Sequence, residues 1–235
     1  MGVAEIRENL EQVRDRIAQA AVRAGRSPQE IRLVAVTKNV AADRIAQALD
    51  AGVEMFGENY VQEAREKRAS LGRSSACWHM IGRLQSNKTR LAVDLFDVVE
   101  TVDREKILRE LDRHAGQVGK VVSVMIQVNL SGEPTKSGAE AERALGLIRH
   151  AATCENLRCV GLMTIPPVDD EPERARPFFA RLRALRDGLR PLCPAGVQLD
   201  ALSMGMSADF EVAVEEGATH VRIGTAIFGQ RQRAQ

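Results

Sequence analysis

The sequence predicts an α/β protein, a single (β/α)8 barrel, and three observations carry that reading. Eight short runs rich in Val, Ile, Leu and Met alternate with stretches that carry one apolar stripe at helical spacing. Several runs lack polar–apolar alternation, as parallel strands covered on both faces do. The turn after the first run, Thr37-Lys38-Asn39-Val40, has no glycine, which argues against a doubly wound nucleotide-binding sheet. A chain of 235 residues suits such a barrel as one domain, 1–235, with an extra N-terminal helix.

Taken in order, Ile6, Leu10, Val13 and Ile17 recur at helical spacing, and Gly25 stops that first helix. Ser27-Pro28-Gln29-Glu30 has capping-box chemistry and turns the chain into the first strand. Strands are expected over 31–37, 53–56, 77–81, 96–100, 121–128, 158–163, 198–203 and 219–223. Helices are expected between them over 41–51, 59–71, 84–92, 103–115, 138–152, 173–190 and 207–216. The clearest stripe is Phe178, Leu182, Leu185 and Leu189. Pro166 to Pro172 reads as a surface loop inside the domain.

Composition narrows the function classes. Apolar residues make up 44% of the chain, enough for a large core, and charged residues 28%. A net charge of +1 with both signs interspersed argues against nucleic acid or an anionic membrane as partner. Aromatic residues at 3% leave little to stack bases on. Cys77, Cys154, Cys159 and Cys193 form no C-x-x-C pair, so they read as reduced thiols and not a zinc site. The N-terminus lacks the apolar core of a signal peptide, and no apolar run reaches membrane-spanning length. The expected compartment is the cytoplasm.

Barrel chemistry gathers at the C-terminal ends of the strands. The first strand ends at Lys38. A lysine there either snorkels to a carboxylate or stands as a neutral amine, which is a nucleophile toward carbonyl groups. The second strand end offers Asn59, read on its own as a helix cap. The third offers His79, either an acid–base group or a hydrogen-bonded core histidine. The sixth offers Met163, which packs on a flat ring or fills the core. The seventh runs into Ser203-Met204-Gly205-Met206-Ser207-Ala208-Asp209, where Ser207 suits an N-cap and Asp209 a first turn. In the eighth, alternation puts His220, Arg222 and Gly224 on one face, followed by Thr225. Loops after strands seven and eight commonly hold phosphate in barrels, and here they carry Ser203, Gly205, Ser207, Gly224 and Thr225. Strands one and eight are neighbours in a closed barrel. Lys38, Arg222 and the phosphate cradle therefore share one mouth, which describes a pyridoxal 5′-phosphate pocket. Like-charge repulsion from Arg222 would favour the neutral amine of Lys38.

The chain resembles the pyridoxal phosphate homeostasis protein family along nearly its whole length. The resemblance is carried by Val34 to Lys38, Phe56 to Tyr60, Trp78 to Lys88, Gly161 to Thr164, Leu202 to Asp209 and Arg222 to Gly229. It implies a barrel like the N-terminal domain of alanine racemase, with the cofactor held on Lys38 as a Schiff base. It implies that Arg222 faces the pyridine nitrogen and that Ser203, Ser207, Gly224 and Thr225 hold the phosphate. Asn59 and Met163 match pocket-lining motif positions. Lys136 matches a further motif near the mouth and is either a transfer lysine or a solvated loop lysine.

Cofactor binding is not yet catalysis. An arginine at the pyridine nitrogen leaves it unprotonated and weakens the electron sink. Two-base racemisation needs a second base on the opposite ring face, and the only tyrosine, Tyr60, opens a barrel helix. The reading is therefore a monomeric, non-catalytic carrier that stores, buffers and delivers pyridoxal phosphate, with apo-enzymes as recipients. A weak amino-acid racemase and a Schiff-base aldolase are the alternatives. No metal is expected.

Overall fold

A computed structural model describes residues 3–72, 75–133 and 137–229. Eight parallel strands close into a barrel in sequence order. They are β1 (Arg32–Val36), β2 (Met55–Glu58), β3 (Cys77–Met80), β4 (Val98–Val102), β5 (Val122–Gln127), β6 (Leu157–Met163), β7 (Ala201–Ser203) and β8 (His220–Ile223). Closure is made by β1 against β8, with Arg32 beside His220 and Val34 beside Arg222. The first strand therefore carries its even-numbered side chains into the same interior as His220 and Arg222.

The first eight helices follow as expected, with shifted ends, and a ninth is an addition to those the sequence predicts. They are α1 (Val3–Arg23), α2 (Ala42–Asp50), α3 (Val61–Leu71), α4 (Thr89–Leu95), α5 (Glu105–Val118), α6 (Ala144–Ala152), α7 (Arg176–Leu189), α8 (Phe210–Glu215) and α9 (Thr225–Phe228). Ile6, Leu10, Val13 and Ile17 of α1 are all buried, so the extra helix seals part of the barrel's outer wall. On α7 the buried face runs through Phe179, Leu182 and Leu189, one position from the expected register at its start; Phe178 is only half-buried.

Three other boundaries move for identifiable reasons. Helix α4 runs to Leu95, and the Phe96 N–H bonds Ala92 O at 2.9 Å, so β4 starts at Val98 rather than 96. Strand β7 pairs with β6 only from Ala201, opposite Gly161. Helix α8 starts at Phe210, not 207. Asp209 Oδ1 accepts the Met206 N–H at 2.6 Å and holds the preceding residues in a turn. Ser207 is thus not an N-cap.

Gly161 explains how β6 and β7 approach so closely. A Cβ there would lie 2.0 Å from Ala201 O. The four cysteines are free thiols, and burial pushes Cys154 up to about 11 and Cys159 up to about 12. Among the described residues no helix is long and apolar enough to cross a membrane, and no group of side chains is arranged to hold a metal ion.

Candidate functional site at the barrel mouth

Lys38 sits two residues beyond β1, in a turn closed by the Val40 N–H on Thr37 O at 2.9 Å. Asn39 takes a left-handed backbone, φ 59°, a conformation asparagine tolerates better than most residues. The turn is clamped from outside the barrel. Lys67 of α3 donates to Thr37 O at 2.5 Å, to Glu58 Oε1 at 2.6 Å and to Glu63 Oε1 at 2.6 Å. Glu63 Oε1 also accepts the Asn39 N–H at 2.6 Å. Burial pushes the Glu58 carboxyl above its ordinary range, opposed by its bonds from Lys67 and Thr37.

A cavity of about 280 Å³ opens at this end of the barrel. Lys38, Asn59, Ser207, Arg222, Gly224 and Thr225 all line it. Six of the eight expected cofactor-binding residues therefore converge. Ser207 Oγ accepts the Gly224 N–H at 3.2 Å, tying the loop after β7 to the end of β8. Gly224 leads into α9, whose first N–H groups point back out of the helix. A Cβ on Gly224 would stand 3.3 Å from Val36 O, so the bare backbone is what leaves room at the cavity wall. Asn59 does not cap α3. Tyr60 occupies that position, with no side-chain capping bond.

Two expected ligands are placed elsewhere. Ser203 is fully buried below the mouth, where it donates to Glu100 Oε2 at 2.6 Å and accepts from Arg222 Nη1 at 2.6 Å. Its hydroxyl is committed to holding the arginine rather than an oxyanion. Met163 is also fully buried and packs on Met125 and Ala201 in the barrel interior, outside the cavity lining. The shared cause is depth: a side chain from a strand's last residue falls in the packed layer beneath the mouth. Lys136 lies outside the described residues.

Arg222 is only 3% exposed, yet its guanidinium is well held. Besides Ser203, it donates to Thr164 O at 2.9 Å and faces Glu100 at 3.9 Å. Burial lowers its affinity for the proton, and Glu100 and Asp209 oppose that. Glu100 continues the chain downward, pairing with His79 Nδ1 at 2.6 Å. Burial alone would raise the Glu100 carboxyl, but the bond and charge of His79 and the charge of Arg222 hold it at about 2. Burial disfavours an imidazolium at His79, yet bonds to Cys77 and Glu100 lift it to about 9. His79 is thus the hydrogen-bonded core histidine, not an acid–base group at the mouth.

Glu100 is the residue that strand-end reading missed. Its signal was a lone carboxylate inside the apolar run Val98-Val99-Glu100-Thr101-Val102. Lys67 left no comparable mark, because α3 is polar along most of its length. Ile81, Ile165 and Met206 complete the apolar part of the mouth.

A lysine side chain, a buried guanidinium and a cradle of backbone and hydroxyl groups line one cavity. It fits a small aldehyde carrying a phosphate and a weakly basic ring nitrogen. Fold and site together define a barrel of the alanine racemase N-terminal domain type, and that family's model matches residues 4–232. The Escherichia coli K12 relative, a pyridoxal phosphate homeostasis protein, is 44% identical over 230 residues, covering 97% of both chains. The relative of the same name from Aquifex aeolicus VF5 is 42% identical over 225 residues, covering 96% of this chain and 98% of its own. The chain belongs to the pyridoxal phosphate homeostasis protein family. Its fold is also similar to PipY of Synechococcus elongatus PCC7942, solved with PLP bound. The TM-score is 0.85 at 36% identity, covering 95% of this chain and all of that one.

Proposed function

We propose that this chain binds pyridoxal 5′-phosphate at the barrel mouth and serves as a cytoplasmic, monomeric carrier that buffers the cofactor and hands it to apo-enzymes. The observation that carries the reading is the convergence of Lys38, Arg222, Ser207, Gly224 and Thr225 on one cavity of about 280 Å³. The names of the relatives and the PLP-bound neighbour support it.

When bound, the cofactor supplies an aldehyde carbon that an amine attacks reversibly. Lys38 is the residue that would hold it covalently, with its turn steadied by Lys67 and Glu63. Arg222 would face the ring nitrogen and, being a cation, keep a proton off it. That weakens the electron sink and favours holding over turnover. The Ser207 and Thr225 hydroxyls would hold the phosphate, with the bare Gly224 leaving room for it at the wall. Asn59, Ile81 and Ile165 complete the walls and limit water.

The test is direct. Incubated with pyridoxal phosphate and desalted, the protein is expected to be yellow, to bleach with borohydride and to carry the label on Lys38. Lys38→Ala is expected to lose the fixed label. The carrier reading further expects cofactor to reach an apo-enzyme from this protein faster than from an equal amount of free cofactor. Label on another lysine, or turnover of D- or L-alanine at ordinary enzymatic rates, would overturn the proposal.

A further inference from the structure

We propose that the N-terminal end of the barrel is a second ligand site, taking a small dianion of the phosphate or dicarboxylate class. The floor of a (β/α)8 barrel is ordinarily packed shut and serves stability. Here it opens into a cavity of about 710 Å³, within the range of ligand pockets and larger than the mouth cavity.

The chemistry of that cavity is cationic. Arg32, at the start of β1, is in register with His220, and Arg158 of β6 is in register with Ser123 of β5, so strands three places apart in the ring aim guanidinium groups into it. Both arginines are exposed, and no described residue hydrogen-bonds or ion-pairs either of their side chains. Deeper in stands His79, held as the imidazolium, with His220 beside it at 6.0 Å between ring centroids.

The acids that could cancel this charge are already engaged. Glu30 pairs with Arg26 at 3.2 Å and Asp200 with Arg190 at 2.6 Å, and neither of those arginines lines the cavity. Glu100, just above, is shared between His79 and Arg222. Two planar forks with no partner among the described residues match the bidentate recognition of phosphate and carboxylate oxygens, above a His79 already paired with Glu100. Two separated forks favour a dianion over a monoanion.

Histidine NMR tests this without reference to what the mouth holds. The chain has four histidines; His79 and His220 line the basal cavity, His114 and His150 lie on outer helices, and none lines the mouth cavity. Titration with inorganic phosphate, and separately with malonate, is expected to shift the ring signals of His220 and His79 saturably while those of His114 and His150 stay. The arm with the tighter curve identifies the class. Arg32→Gln combined with Arg158→Gln removes both forks and is expected to weaken the binding at least ~tenfold, since the loss of even one charge-assisted contact is on that scale. The unpartnered, exposed positions of both residues leave the fold of that variant intact, checked by its thermal unfolding. Absence of a saturable shift with both anions, or an unchanged curve in the double variant, overturns the proposal.

Discussion

The two ends of this barrel are built on opposite electrostatic plans. At the mouth, each charged group is held by neighbours: Lys67, Glu58 and Glu63 clamp the Lys38 turn from outside, and Ser203, Thr164 and Glu100 fix Arg222 from below. At the base, the acids are bonded away and two arginines have no partner among the described residues. One carboxylate, Glu100, joins the two ends, touching His79 on the basal side and Ser203 and Arg222 on the mouth side. The comparison teaches that a pre-organised site and an open charged cavity can share one polar column through a barrel core.

The strongest way to break the comparison is to remove its link. Glu100 is fully buried between two cations, so Glu100→Ala leaves both uncompensated. The expected cost is about 3–5 kcal/mol, read as a lowered denaturation midpoint in urea. A loss under about 1 kcal/mol, the scale of an exposed pair, would mean that the column contributes little to holding either end.

Solution pH acts on the same link with a definite sign. His79 holds its proton up to about 9 in the folded chain, against 6.5 for an unperturbed histidine. Its contribution is therefore complete below pH 6.5 and is lost as pH rises through 9. The difference corresponds to about 3 kcal/mol. His220 runs the other way: burial, aided by the charges of His79, Arg32 and Arg222, depresses it to about 4. Its contribution is present above pH 6.5 and is lost as pH falls through 4. Unfolding free energies measured from pH 4 to pH 10 should peak near 6.5. His79→Gln should flatten the alkaline side, and because the His79 charge also depresses His220, the acid side should become shallower too.

Ser203 separates the two ends more finely. Ser203→Ala removes the hydroxyl between Glu100 and Arg222 but leaves Thr164 O on the guanidinium. The expected loss of stability is about 2 kcal/mol. The basal histidine signals should move less than they do in Glu100→Ala, because the His79–Glu100 contact survives. Equal movement in both variants would show that the serine governs the whole column.

The barrel itself was legible because its signal is repeated: eight buried runs, each followed by an amphipathic stretch, place every strand even where an end is off by two or three residues. Ends depend on single tertiary bonds, such as Asp209 on the Met206 N–H, which leave no periodic trace. At the mouth, Lys38, Arg222, Gly224 and Thr225 were legible because alternation and strand-end position decide where they point. Ser203 and Met163 were misplaced because position along a strand does not reveal depth, and both belong to the layer beneath. The polar column was hidden because its contacts span 21 residues from His79 to Glu100 and 103 from Glu100 to Ser203. Arg32 and Arg158 look like ordinary solvated strand starts until the acids around them are seen to be engaged.

The smallest expected effect tests whether the mouth is as pre-organised as its hydrogen bonds imply. Ser207 Oγ meets the Gly224 N–H at 3.2 Å, the one side-chain bond joining the two cradle loops among the described residues. Ser207→Ala should cost the fold about 1 kcal/mol, a typical net hydrogen bond. It removes a donor hydroxyl from the cradle while freeing the Gly224 N–H to turn toward an oxyanion. Pyridoxal phosphate should then dissociate several-fold faster at the mouth, with the Lys38 attachment intact by borohydride labelling. The phosphate-induced shifts of His220 at the base should be unchanged. A change at the base equal to that at the mouth would show that the two ends are one coupled site.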